Sequence, residues 1–152
     1  MRRLFVLALA VGTLLAAPST AGTDRWLRYE RPGLGLTVRF PPDWHPIRHR
    51  LTPCIDPIEV IDLRGPGRAL FMLQESSTTE GRGMQARPRR LGVGGPPHPL
   101  ECCTPTRQPG WLVTFQDGGR GFYAYLYPGR FHKRAELVAI LNTLRVRPKE
   151  GR

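Results

Sequence analysis

Six side chains able to bind a metal or to pass electrons lie in two stretches of the sequence: His45, His49 and Cys54 in the first, and His98, Cys102 and Cys103 in the second. Imidazole and thiolate are the usual ligands of zinc and copper, so loops that brought the stretches together would offer several donors at once. The spacing argues against such a site. Zinc sites generally use tighter pairs, and Pro46 interrupts the helix that would set His45 and His49 on one face. A disulfide would also consume the thiolates that a metal needs. The sequence therefore favours surface histidines and a structural bridge, with no metal and no cofactor. A metal- or thiol-dependent protein built on these six residues is the alternative.

Other catalytic sets are not assembled. A redox pair normally reads Cys-x-x-Cys at the start of a helix, where the dipole lowers a thiol pKa, whereas Cys102-Cys103 runs into Thr104-Pro105. No Gly-x-Ser-x-Gly elbow is present, and Ser76 and Ser77 are the only serines after residue 21. Gly92-Val93-Gly94-Gly95 lacks the strand and helix that would make it a nucleotide loop. The one acidic cluster is Asp56, Glu59 and Asp62, and the alternation of Asp62 with Ile61 and Leu63 places it on a solvent face. The sequence points away from an enzyme.

The first residues read as a secretory leader. Met1-Arg2-Arg3 is basic, residues 4–17 are apolar or small, and Ser19-Thr20-Ala21 offers a small-x-small cleavage site. The apolar run is shorter than the roughly 20 residues a spanning helix needs, so no transmembrane segment is expected in the mature chain. Cleavage after Ala21 leaves residues 22–152 as a single domain, secreted or associated with the cell envelope. Loss of Arg2 and Arg3 leaves 21 basic residues against 12 acidic ones, a net charge of +9. That excess favours anionic surfaces. In an oxidising compartment the three cysteines imply a disulfide, with Cys54 joined to Cys102 or Cys103. The odd count leaves one thiol free or two chains linked, and a ring between the adjacent Cys102 and Cys103 would be strained.

The elements that must position these groups are mostly strands. Leu34, Leu36, Val38 and Phe40 alternate with Gly35, Thr37 and Arg39, the signature of a half-buried strand. Residues 58–63 and 69–73 flank Gly65-Pro66-Gly67 as an antiparallel pair, and residues 111–115 and 122–127 flank Asp117-Gly118-Gly119 as a hairpin. In the last strand Phe122, Ala124 and Leu126 take one face and Tyr123, Tyr125 and Tyr127 the other, which predicts a central strand covered on both sides. Residues 76–99 carry five glycines and four prolines and read as loop, with a short strand near residues 91–93. Leu137, Ile140, Leu141 and Leu144 fall on one helical stripe, from which Arg134, Glu136 and Asn142 point away. Strands followed by a packed C-terminal helix define an α+β domain.

The strand ending Gly35-Leu36-Thr37-Val38-Arg39-Phe40, its continuation Pro41-Pro42-Asp43-Trp44 and the closing helix with Ile140-Leu141-Asn142-Thr143-Leu144-Arg145-Val146 resemble the opening and closing signatures of the PsbP-like superfamily. The resemblance covers the two ends of the mature chain and implies an α-β-α sandwich around an antiparallel sheet. It carries no single chemistry. Leu51-Thr52-Pro53-Cys54 and Glu101-Cys102-Cys103 are similar to segments of small exported actinobacterial proteins.

Binding is the function class that remains. Arg82, Arg87, Arg89 and Arg90 form the densest basic run, suited to an acidic polymer or phospholipid headgroups. Tyr123, Tyr125 and Tyr127 would form a contact face if nothing covered them. The expected partner is an anionic envelope component or another exported protein. Nucleic acid is not expected, since no recognition helix or stacking motif is visible.

Overall fold

The computed structural model describes residues 25–48, 58–76, 83–100, 106 and 108–148, with the side chains of residues 58–60 left aside. Their backbone forms two antiparallel sheets and one C-terminal helix, an α+β arrangement. The strands are β1 (Leu27–Arg31), β2 (Leu36–Phe40), β3 (His45–Pro46), β4 (Ile58–Arg64), β5 (Leu70–Glu75), β6 (Trp111–Asp117), β7 (Arg120–Tyr127) and β8 (Arg145–Val146), and the helix is α1 (Arg134–Thr143). The smaller sheet has the order β1-β2-β8 and the larger one β3-β4-β5-β7-β6.

Local sequence accounts for the hairpins. The β6–β7 turn needs two consecutive left-handed residues, and Gly118 and Gly119 supply them at φ 59° and 71°. This is the turn geometry whose twist matches paired strands. Its register sets Phe115 directly opposite Phe122, and the two rings stack with centroids 5.5 Å apart. The β4–β5 connection tightens into a single 3-10 turn over Pro66–Arg68.

The main core lies on one face of the larger sheet. Ile61 and Leu63 of β4, Phe71 and Leu73 of β5, and Phe122, Ala124 and Leu126 of β7 meet Leu36, Val38 and Phe40 of β2 and the stripe Leu137, Ile140, Leu141 and Leu144. Each of the larger aliphatic and aromatic side chains among them contributes about 1.5–3 kcal/mol when taken out of water. Two polar ties fix the helix over this core. Trp44, buried, donates its indole N–H to Glu136 Oε1 at 2.6 Å, and Thr143 Oγ1 accepts the Arg39 amide at 2.8 Å. The β2 end and the C-terminal helix are therefore joined directly, and Arg147 N continues the contact by donating to Gly35 O at 2.9 Å.

The opposite face of the larger sheet carries a second cluster, Leu70, Met72, Tyr125 and Tyr127, with Ile47, Leu100 and Tyr123 against it. β7 is thus an internal strand with both faces occupied, as its sequence predicts. Asp62 departs from expectation. It is only 3 % exposed, because β4 is itself flanked by β3 and β5 and its second face lies over this cluster rather than over solvent. Residues 91–93 form no strand. Leu91 is instead buried and held by Asn142, whose side chain accepts the Leu91 amide at 2.8 Å and donates to its carbonyl at 2.9 Å.

Candidate functional site

The arginines divide into two populations. Arg87 is half-buried at the end of α1. Its Nη1 donates to Asp117 Oδ2 (2.9 Å) and Leu144 O (2.8 Å), and its Nη2 to Leu141 O (3.2 Å). Leu141 O also accepts the Leu144 amide at 3.2 Å, so the guanidinium joins that turn in capping the end of α1 and meets the favourable end of its dipole. It also lies 5.6 Å over the Phe115 ring. Arg120 is more deeply held. Nε and Nη2 grip Glu75 at 3.0 and 2.6 Å, Nη1 donates to Leu34 O at 2.6 Å, and the group lies 5.3 Å from the Phe122 centroid. The two cations thus cover the two stacked phenylalanines, and Arg120 ties β5 to the entry of β2.

The second population stands on the outer face of the smaller sheet. Strand alternation sends Leu36, Val38 and Phe40 into the core and leaves Thr37 and Arg39 on the other side. In the register of β1 on β2, Arg28 lies directly opposite Arg39, and β8 adds Arg145 beside Thr37. Like charges placed opposite one another on adjacent strands are destabilising. Together with Trp26 and Arg147 these residues line an open groove of about 760 Å³. Arg28 is also paired with Glu30 along its own strand, an exposed contact of little strength. A groove with four guanidiniums is chemically suited to phosphate or carboxylate, which the planar fork can grip through two parallel hydrogen bonds.

The residues singled out in the sequence fall in several places. Of the basic run, Arg89 and Arg90 are exposed, Arg82 lies outside the described residues, and Arg87 is withdrawn into the helix cap. The run is therefore not one surface patch, since adjacent side chains in an extended segment point in different directions. Tyr125 and Tyr127 are buried and Tyr123 half-buried, so the tyrosine face packs as the second core layer. His45, on the short edge strand β3, and His98, in an isolated bridge with Gly110, are exposed. His49, Cys54, Cys102 and Cys103 lie outside the described residues. Among the described residues no three His, Cys, Asp or Glu side chains group as a metal site, and no helix is long and apolar enough to cross a membrane.

The groove was not legible as a site because its arginines come from residues 28, 39, 145 and 147, far apart along the chain. The available signal was the outward position of Arg39 in the alternating strand, together with Arg145-Val146-Arg147 after the helix. Compared with protein-family models, with curated proteins and with solved structures, the chain finds no match.

Proposed function

We propose that the chain works after export as a non-catalytic binding or accessory domain at the cell envelope, holding an anionic polymer along the arginine groove of the smaller sheet. The observation that carries this reading is the register that sets Arg28 against Arg39, with Arg145 on the next strand. An anion lying between these guanidiniums would offset their mutual repulsion. The overall excess of basic residues would draw the same kind of partner from a distance. The architecture is read as PsbP-like. That reading rests on the sequence signatures at the two ends of the mature chain.

The test is a titration with long-chain polyphosphate, followed by anisotropy at increasing ionic strength, with neutral dextran as the control. Saturable binding that weakens steeply with salt is expected, because each neutralised phosphate releases a counterion. The double variant R145Q/R147Q is expected to bind at least about tenfold more weakly, which corresponds to roughly 1.4 kcal/mol. Equal binding of dextran, or full affinity in the double variant, would refute the reading.

A further inference from the structure

A second cavity lies apart from the arginine groove, where the β4–β5 turn meets the segment that follows β7. It measures about 320 Å³, and its walls include Pro97, Pro109 and Pro128, with Arg68, Arg130 and His132 among the lining residues. Ligand pockets begin at about this size.

The backbone around it is unusual in one respect. Among the described residues only Arg68 and His132 carry a positive φ without being glycine, at 65° and 49°, and both line this cavity. A side chain in the left-handed region costs free energy, so it persists only where the surroundings over-determine it. Here they do. Arg130 N donates to Gly67 O at 2.8 Å, Lys133 N donates to Pro128 O at 3.1 Å, and a Cβ on Gly129 would come within 2.5 Å of both Gly67 O and Ala69 N. The two segments are thus pressed together, with three proline rings fixing the walls. Both strained residues line one opening.

The geometry points to a binding site for a small organic anion, one with a ring-shaped apolar body and a single phosphoryl or carboxyl group. The proline rings present rigid apolar surface to the body. The two guanidiniums and the imidazole present hydrogen-bond donors to the anionic head. Phe131, between Arg130 and His132 in sequence, is 64 % exposed and lays its ring against Gly67. Such a site is pre-formed, so little ordering entropy would oppose binding.

Phenyl phosphate is the probe, titrated into the whole mature chain and followed residue by residue through amide chemical shifts. Benzoate separates carboxylate from phosphate preference, and inorganic phosphate and phenol separate the head from the body. Saturable phenyl phosphate or benzoate binding is expected in the low-millimolar range, about what so small a ligand can reach. The shifts should map to residues 67–69, 108 and 129–132. Inorganic phosphate and phenol should each bind at least about tenfold more weakly. Arg130→Gln, which leaves the backbone contact to Gly67 in place, should weaken the probe about tenfold. Arg68→Gly should raise the melting temperature, by relieving the left-handed side chain, and should lower affinity at the same time. That opposed pair of changes is what a merely tolerated strain would not produce. No saturable binding of either ring-bearing anion, shifts confined to Arg28, Arg39 and Arg145, or unchanged affinity in both variants would overturn the proposal.

Discussion

Arg87 and Arg120 on one side, and the arginines of the smaller sheet on the other, put the same side chain to opposite uses. The interior pair is enclosed by acceptors: Asp117 and the last carbonyls of α1 for Arg87, and Glu75 and Leu34 O for Arg120. Each also covers a ring of the Phe115–Phe122 stack. On the outer face, Arg28 and Arg39 oppose each other in register, and Arg145 and Arg147 stand exposed beside them. The interior arginines hold the sheets and helix in place. The outer ones bring several positive charges to one exposed groove.

That contrast predicts a graded set of mutational effects. The largest belongs to Arg120→Ala. It leaves Glu75 buried without its cation, and removal of one member of a buried pair typically costs about 3–5 kcal/mol. Urea denaturation should register that loss, and a change below about 1 kcal/mol would show that the buried pair contributes little to the fold. Arg87→Ala should cost about 2 kcal/mol, the usual worth of hydrogen bonds to a charged group, and should loosen the end of α1 first. Hydrogen exchange at residues 141–144 is the readout, and unchanged protection there would break the assignment of Arg87 as a cap.

Gln74 sharpens the rule from the other direction. It is fully buried on β5, and neither side-chain amide atom has a hydrogen-bond partner among the described residues. Gln74→Met should therefore stabilise the protein by about 1–2 kcal/mol, since an unsatisfied buried polar group carries its whole desolvation cost. A fall in melting temperature would show that the amide is partnered in solution. The smallest stability effect belongs to the double variant R145Q/R147Q, within about 0.5 kcal/mol as for ordinary surface changes. A large loss there would place these arginines with the interior pair.

The parts of the fold that were legible in the sequence were those decided locally. The alternation through Leu36, Val38 and Phe40 marked β2, Gly118-Gly119 marked the last hairpin, and the Leu137–Ile140–Leu141–Leu144 stripe marked α1. β1 was missed because its residues are mostly exposed and charged. Its strand character comes from pairing with β2, a tertiary fact. The division into two sheets and the burial of Asp62 were hidden for the same reason, since they depend on which strand lies beside which. The candidate site was only partly legible for the same reason. Density of arginine along the chain at residues 82–90 suggested a patch, yet Arg87 is drawn inward to an α1 carbonyl while residues 28, 39, 145 and 147 converge in space. A glycine- and proline-rich loop scatters its side chains, whereas a sheet lines them up at fixed intervals.

The most direct test of the arginine groove is a map of amide chemical shifts across the mature chain as polyphosphate is added. Shifts centred on Arg28, Thr37, Arg39, Arg145 and Arg147, with Arg87 and Arg120 undisturbed, are the predicted result. Shifts centred on Arg89 and Arg90, or spread evenly over every exposed arginine, would contradict it and reduce the groove to ordinary surface charge.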